Sequence, residues 1–279
     1  MTAIGIVGPG RAGVGFGLAL SRAGHRVFVH GERDKVLPVA LEHSWGGSPP
    51  WLAAVDVVLL AVPDDAITGA AADLAATGRV TASHTVLHLA GLLDRTALAP
   101  LDATGAALGS LHPLQSISDP VSAPDHFKGA FVAVEGDERA VKVASGLART
   151  MGMQPVTVRS EHKPFYHAGA VFASNYLVVI AGIAVRLHVE AGLGEQQARE
   201  ALAPLLAGTV ANVREMGDAA LTGPVKRGDA GTVRRHLELL PDDLQESYRA
   251  LGRAALQISD LPQDKKDAVA RVLMEREAR

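Results

Sequence analysis

The chain has 279 residues, of which 48% are hydrophobic and 4% aromatic, and its 27 Lys and Arg residues nearly balance 30 Asp and Glu residues. This balance argues against a protein that binds nucleic acid or anionic membranes, and the few aromatic side chains argue against a base-stacking surface. The chain contains no cysteine, which excludes disulfides, thiolate nucleophiles and zinc fingers. The apolar content is sufficient for one large domain or two small ones.

Two features bear on the location of the protein. The N-terminus, MTAIGIVGPG, has neither the basic start nor the long apolar stretch of a signal peptide, and we expect a cytoplasmic protein. The apolar run at residues 168–185 is barely long enough to span a bilayer. Because this run is solitary and contains Ser174, Asn175 and Tyr176, we interpret it as a buried central helix and expect no membrane partner. The same apolar helix also suggests a buried dimer seam.

In the first half of the chain, short apolar runs alternate with stretches of helical spacing. Uniformly apolar runs such as DVVLLAVP are typical of strands that are buried on both faces of a parallel sheet. We predict strands at residues 3–8, 25–30, 56–63, 85–92, 105–112, 131–136 and 155–160, and helices at residues 11–24, 65–77 and 138–151. The segment between the second and third strands is interpreted as irregular. The alternation predicts βαβ units and an α/β fold with a doubly wound sheet.

Strand patterns cease after residue 160, and the rest of the chain is predicted to be all-helical. The predicted helices cover residues 162–190, 195–216, 232–239, 242–258 and 263–277, with glycine and proline breakers between them. We therefore expect two domains. Residues 1–159 form a Rossmann dinucleotide-binding domain, and residues 160–279 form a helical domain for substrate binding and dimerisation.

The sequence GPGRAG at residues 8–13 matches the G-x-G-x-x-G pattern that follows a strand and opens a helix. In this pattern the first glycine permits a tight turn, the second lets the backbone approach a pyrophosphate, and the third lets helix and strand pack closely. The free N–H groups at the helix N-terminus bind the anion. The predicted cofactor-binding residues, here and on the second and third strands, are Gly8, Pro9, Gly10, Arg11, Ala12, Gly13, Arg33, Val62 and Pro63.

The choice of cofactor depends on the end of the second strand. An acidic residue there binds the ribose hydroxyls of NAD, whereas an arginine accommodates the 2′-phosphate of NADP. The sequence offers both, as Glu32 and Arg33. We favour NADP, with NAD as the alternative.

Candidate catalytic residues cluster at the start of the helix at 162–190. Pro164 belongs to a first helical turn, so the helix begins near Lys163. At about 100° per residue, Lys163 and His167 lie about 40° apart, and Ser174 lies about 20° from His167. Asn175 borders this stripe. A cation, an imidazole and small polar groups on one face of an apolar helix predict an active-site wall, although small polar residues also serve helix packing.

Two further residues are candidates at other positions. His112 follows a predicted strand and either contacts the substrate or lies in a turn that merely ends the strand. Arg227 lies between two helices of the second half, where it either binds a substrate carboxylate, pairs with Asp229 or helps to cap the next helix. The sequence has no H-E-x-x-H motif, no clustered carboxylates and no G-x-S-x-G elbow, so we expect neither a metal site nor a hydrolase.

Several longer motifs carry a resemblance to a known family. These are GPGRAG, AVPDDAI, SLHPLQS, KPFYHAGAVFASNYL, and TGPVKRGD with a following His236. On these motifs the chain resembles bacterial Rossmann-like NADP oxidoreductases whose helical C-terminal domain has no assigned function. It is also similar in layout to pyrroline-5-carboxylate reductase, ketopantoate reductase, prephenate dehydrogenase and 6-phosphogluconate dehydrogenase.

The resemblance implies an NADP-binding domain and a homodimer formed through the helical domain. Several of these relatives place a catalytic lysine, and an asparagine four residues later, on the helix that joins their domains. Lys163 matches the lysine, but His167 occupies the second position.

These observations lead to one expected function and two alternatives. The expected function is an NADP-dependent oxidoreductase that transfers hydride to or from a small carboxylate-bearing ketone, imine or alcohol, with Lys163 as proton donor and His167 as its partner. Because the lysine–asparagine pair is incomplete, one alternative is a module that binds NADP(H) without turnover and signals to a partner. The other is an oxidoreductase that exchanges hydride between NADP and a deazaflavin.

Overall fold

The computed structural model describes residues 2–34, 36–38 and 41–275. The chain forms two compact units that divide between Val178 and Val179. The predicted domain boundary at residue 160 marks the place where strands give way to helices, and it stays a prediction about domain organisation.

The first unit contains one eight-stranded sheet. Its strands are β1 (Ala3–Val7), β2 (Arg26–Gly31), β3 (Glu42–Trp45), β4 (Val57–Leu60), β5 (Thr85–His88), β6 (Ala107–Pro113), β7 (Phe131–Gly136) and β8 (Gln154–Thr157). The helices of this unit are α1 (Arg11–Arg22), α2 (Ile67–Ala76), α3 (Ala123–Phe127), α4 (Glu138–Thr150) and α5 (Lys163–Val171). The strand order is β3-β2-β1-β4-β5-β6-β7-β8, and the first six strands are parallel. This is the order of the dinucleotide-binding Rossmann sheet, so the predicted fold class is confirmed.

The sheet is buried on both faces, as the uniformly apolar strands predict. All four residues of β4 are buried, and they alternate between two hydrophobic clusters. Val57 and Leu59 join the cluster that contains residues of α1 and α4, whereas Val58 and Leu60 join the cluster that contains residues of α2. An apolar residue at every position therefore has a core to fill on one side or the other.

Two features of the sheet differ from the prediction. The segment predicted to be irregular contains β3, a short edge strand whose sequence EHSW has no apolar alternation. In addition, β7 runs antiparallel to β6. The connection at residues 114–130 contains only the five-residue helix α3, whereas a parallel crossover needs a longer helical connection.

The helical part of the chain continues beyond α5. A π-helical segment, Phe172–Tyr176, leads into α6 (Leu177–Glu190), which is followed by α7 (Glu195–Met216), α8 (Gly223–Arg227), α9 (Ala230–Leu239), α10 (Asp242–Gln257) and α11 (Gln263–Met274). Within the second unit, a hydrophobic cluster that includes Val233, Leu256 and Leu273 joins α9, α10 and α11. The predicted helices match α5 to α7 and α9 to α11 to within a few residues, whereas α8 covers residues predicted to lie between helices. The end of the last predicted helix, at residue 277, lies outside the described residues.

The long apolar helix is not buried within the single chain. Residues 160–190 include a window of mean hydropathy 1.9, and they form the one helix of the described chain that is long and apolar enough to cross a membrane. None of that window is buried, and Val178 is 72% exposed. The prediction of a buried central helix is therefore wrong for one chain: apolar composition shows that a face needs to be covered, but not what covers it.

Candidate active site and dinucleotide cleft

The glycine loop has the geometry that its sequence predicts. Gly8 has φ +108°, and a Cβ atom there would lie 2.5 Å from the carbonyl oxygen of Ala61. A Cβ at Gly13 would lie 2.0 Å from the Gly8 oxygen, so helix α1 approaches the loop as closely as only glycine permits. No atom surrounds a Cβ built at Gly10, which begins α1 as its N-cap. The loop thus leaves open space in front of the first-turn N–H groups of α1.

A cleft of about 1170 Å³ opens in front of this loop. It lies between the ends of β1, β2 and β4, where the strand order changes direction, which is the usual ligand site in sheets of this type. Its lining includes Gly8, Pro9, Gly10, Glu32, Arg33, Val62 and Pro63. Buried His30 forms one side: its ring nitrogens lie 3.0 Å from Ser44 Oγ and 3.1 Å from the Gly47 oxygen. The cleft therefore brings together most of the predicted cofactor-binding residues, and Glu32 and Arg33 both reach it.

Lys163 lies at the start of α5, and its side chain is only 1% exposed. Its Nζ donates a hydrogen bond to Ser110 Oγ at 2.7 Å. Ser110 in turn donates to Glu135 Oε2 at 3.1 Å, and that oxygen lies 3.8 Å from Lys163 Nζ. An ammonium group has three N–H donors, and Ser110 takes one of them. Lys163 is thus held in a buried polar network with donor capacity left for a ligand.

The electrostatic environment of Lys163 is mixed. Burial lowers the pKa of Lys163, because a buried ammonium loses its hydration, while the carboxylates of Glu135, Asp94 and Asp64 oppose that fall. Asp64 follows Pro63, which lines the dinucleotide cleft beyond the end of β4. The lysine network and the cleft therefore belong to the same edge of the sheet.

His112 lies at the end of β6, next to two residues of α5. Its Nδ1 lies 3.1 Å from the Tyr166 hydroxyl, and its ring centroid lies 6.0 Å from that of His167. Burial first, and then the charges of His167, Lys163 and His88, lower the pKa of His112 to about 4. Burial also raises the pKa of Tyr166 to about 12, so its hydroxyl keeps its proton. The Tyr166 hydroxyl also donates to the backbone carbonyl oxygen of His112 at 3.4 Å, so it contacts both the ring and the backbone of this residue.

Gly91, just after β5, determines how closely the two histidines approach. A Cβ built at Gly91 would lie 2.6 Å from Cδ2 of His167 and 2.8 Å from both Cε1 and Nε2 of His112. The two imidazoles pack against bare backbone here. Their positions therefore depend on the absence of a side chain at residue 91.

His88 at the end of β5 is fully buried, and both of its ring nitrogens form hydrogen bonds with the backbone. Its Nδ1 accepts the Ala90 N–H at 3.2 Å, and its Nε2 lies 3.0 Å from the Asp94 carbonyl oxygen. A proton on Nδ1 would face another N–H donor, so the ring is held neutral. Burial is the main cause that lowers the pKa of His88 to about 4.

The structure brings only part of the predicted catalytic set together. Lys163, His112 and His167 share one region, but Ser174 and Asn175 lie in the π-helical segment, where the rotation per residue differs from that of an α-helix. The Ser174 hydroxyl donates to the Ala170 carbonyl oxygen at 2.7 Å and lies 2.8 Å from Asn175 Oδ1. The stripe extrapolated at 100° per residue does not apply across this segment, and roles for Ser174 and Asn175 stay predictions.

Arg227 ends the short helix α8 in the second unit and is exposed. Its neighbour Asp229 caps α9 by accepting hydrogen bonds from the backbone N–H and the hydroxyl of Thr232, at 3.0 and 2.7 Å. The capping alternative thus holds for Asp229. A role for Arg227 in binding a carboxylate stays a prediction.

Sequence reasoning missed four residues of the region, namely Gly91, Ser110, Glu135 and Tyr166. Two of them had a visible sign, because Ser110 and Glu135 are polar residues inside apolar strands. A buried polar group needs a partner, and each of these two residues is the other's partner in the β6–β7 register.

Comparison with known proteins agrees with this architecture. Residues 48–113 match the model of a Rossmann-like domain, and residues 130–255 match the model described as a domain of unknown function, DUF2520. The chain thus combines a Rossmann-like domain with a DUF2520 domain, as the resemblance predicts. The DUF2520 match begins before β7, so it includes Glu135, Lys163 and His167. A search of curated proteins finds no match.

Solved structures share the fold over nearly the whole chain. A protein of Bacteroides fragilis described as a putative NADP oxidoreductase has 22% identity and a TM-score of 0.75, covering 91% of this chain and 97% of its own. The protein TM1727 of Thermotoga maritima has 24% identity and a TM-score of 0.68, covering 92% and 98%. A pyrroline carboxylate reductase of Plasmodium falciparum, solved with NADP bound, has 13% identity and a TM-score of 0.63, covering 96% and 98%.

Proposed function

We propose that the chain is an NADP-dependent oxidoreductase acting on a small carboxylate-bearing ketone, imine or alcohol. The observation that carries the proposal is the buried lysine network at the same sheet edge as a cleft with dinucleotide geometry. The similar fold of a reductase that binds NADP supports the same class of cofactor. The signalling module and the deazaflavin exchange have no observation of this kind in their favour.

The residues of the cleft fit a dinucleotide. The first-turn N–H groups of α1 lie where a pyrophosphate binds, with open space at Gly10. Arg33, two residues after β2, would bind a 2′-phosphate, and Glu32 is the competing group for a free ribose hydroxyl. When bound, the nicotinamide supplies the hydride.

The chain's own residues supply the proton. As hydride adds to the carbon of a C=O or C=N group, an N–H bond of Lys163 breaks and a new bond to hydrogen forms at the oxygen or nitrogen. After the transfer, Lys163 regains its proton from solvent. The ring of neutral His112 provides a second polar group that orients the reacting group. In the oxidative direction, Lys163 accepts the proton that it donates in the reduction.

Cofactor preference tests the first half of the proposal. In a thermal-shift assay we expect NADPH to raise the melting temperature more than NADH, because a bound ligand stabilises the folded state by mass action. Arg33→Gln should weaken NADPH binding about tenfold or more, the effect of losing a charge-assisted hydrogen bond, and leave NADH binding unchanged. Arg149→Gln, at an exposed position of α4, is the matched control. If the melting temperature does not rise with NADPH, NADH or a reduced deazaflavin, the assignment is refuted. A second assay mixes NADPH with a panel of 2-keto acids, cyclic imines and prephenate-like acids. If no compound of the panel oxidises NADPH, the binding module is favoured.

We also propose that the active form is a homodimer joined through α6 and α7. In the second unit these helices leave large apolar side chains exposed, including Val179, Leu205 and Val213. Exposed apolar side chains of this kind are normally covered by a partner. A second copy of the chain exposes the same apolar side chains, so two copies can cover each other. Light scattering at micromolar concentration should give twice the 29.0 kDa chain mass, and Leu205→Glu with Val213→Glu should halve it. A monomer in the unmodified protein would contradict the proposal, and vesicle binding would favour a membrane as the occupant.

A further inference from the structure

We propose that Glu135 is a positioning residue for Lys163, and that it holds the lysine in its charged, proton-donating form with Ser110 as the bridge between them. The inference deepens the proposed function and rests on it for the role of Lys163. It assigns a task to a strand residue that no sequence motif marks.

The first step is the direction of the hydrogen bonds. Ser110 is fully buried, and its hydroxyl has a single proton, which it donates to Glu135 Oε2 at 3.1 Å. Its oxygen can then only accept from Lys163, which donates at 2.7 Å. The chain Lys163–Ser110–Glu135 therefore runs in one direction, from a group with protons to give to a carboxylate that accepts.

The second step is that the position of Glu135 is fixed independently of Lys163. Ser160 donates its hydroxyl proton to Glu135 Oε1 at 3.1 Å, and the backbone N–H of Arg95 donates to the same oxygen at 3.2 Å. Three hydrogen-bond donors, from Ser110, Ser160 and the Arg95 backbone, therefore hold the two oxygens of Glu135 in place. The second oxygen, Oε2, is left to face Ser110 and Lys163.

The third step is that Glu135 is the strongest of the opposing charges. The titratable groups that act on Lys163 or feel its charge come from the neighbouring strand ends and loops, namely Glu135, Asp94, Asp64, His88 and His112. The two histidines are neutral near pH 7, since their pKa values are about 4. Asp94 is occupied by Thr96, which donates both its backbone N–H and its hydroxyl proton. Asp64 is exposed, so solvent screens it, whereas the buried carboxylate of Glu135 acts over 3.8 Å.

This arrangement has a consequence for chemistry. Burial favours the neutral amine of Lys163, which cannot act as the acid in a reduction. Glu135 opposes that loss, so Lys163 still carries a proton when substrate arrives. Glu135 itself does not touch the reacting atoms.

The titration of Lys163 tests the inference without any substrate or cofactor. The chain has seven lysines, so selective ¹³C,¹⁵N-lysine labelling gives a simple NMR spectrum in which the Lys163 signal is the one that Lys163→Met removes. In the intact protein we expect Glu135→Gln to lower the titration midpoint of Lys163 by about one pH unit or more, which is at least tenfold weaker proton binding. Ser110→Ala should lower it by less, because the carboxylate remains. Ser160→Ala is the matched control, because it removes one hydrogen bond from Glu135 Oε1 while the Arg95 N–H still holds that oxygen. It should leave the midpoint in place.

Two results would overturn the inference. The first is an unchanged Lys163 midpoint in a folded Glu135→Gln variant. If that variant does not fold, the second result decides, namely an unchanged Lys163 midpoint in Ser110→Ala. A protein that binds no NADPH but shows the expected shifts would refute the oxidoreductase and leave the Glu135–Lys163 coupling established. With an accepted substrate, the alkaline limb of kcat should move to lower pH in Glu135→Gln but stay in place in Ser160→Ala.

Discussion

Lys163→Met is expected to lower kcat/KM for NADPH-dependent reduction by about 10²- to 10⁴-fold, the usual range for loss of a positioned acid. NADPH binding should be little affected, because the cleft is lined by the loop at residues 8–10 and by the ends of β2 and β4 rather than by Lys163. The measurement pairs NADPH oxidation, with whichever compound of the panel is accepted, with NADPH titration by fluorescence. Full turnover in this variant would remove Lys163 from the mechanism.

The same substitution also affects folding, and the two effects can be separated. Removing the lysine leaves Glu135 as a buried carboxylate without its countercharge, and breaking a buried pair in this way costs about 3–5 kcal/mol of the free energy of unfolding. Lys163→Met combined with Glu135→Gln removes both charges, so it should recover most of that stability and none of the turnover. If the double variant recovered turnover as well, the loss in the single variant would be a folding defect.

Features that depend on neighbouring residues in the sequence could be predicted well. The glycine loop needs only a strand, a turn and a helix in succession, and Gly8 and Gly13 have the geometry that this pattern requires. The start of α5 is likewise local, because Pro164 marks a first turn and so places Lys163 at residue N1.

The partners of Lys163 could not be predicted, because they depend on strand pairing. Ser110 and Glu135 face each other only because β7 runs antiparallel to β6 in one register, and a shift of one residue would point them to opposite faces of the sheet. The direction of β7 is set by a 17-residue connection with no regular pattern, so neither the pair nor its link to Lys163 is visible in the sequence. The exposure of α6 was missed for a related reason: what covers an apolar helix is a property of the assembly.

His88→Gln is expected to change how the stability of the protein depends on pH. His88 has an ordinary pKa near 6.5 when unfolded and about 4 when folded, so the unfolded chain binds the extra proton between these values. The stability that His88 contributes is complete above pH 6.5 and is lost as the pH falls towards 4. Between pH 7 and pH 5 this loss amounts to about 2 kcal/mol for a fully buried ring with that shift.

Glutamine keeps an acceptor for the Ala90 N–H and a donor for the Asp94 carbonyl oxygen, but it has no proton to gain. Urea unfolding at several pH values should therefore show a flatter curve for His88→Gln than for the unmodified protein, even if the variant is less stable at pH 7. His112 contributes a similar acid loss to both proteins, so the difference between the two curves isolates His88. His126→Gln, at an exposed position of α3, should reproduce the unmodified curve. Parallel curves for His88→Gln and the unmodified protein would show that this buried ring is not held neutral by its two hydrogen bonds.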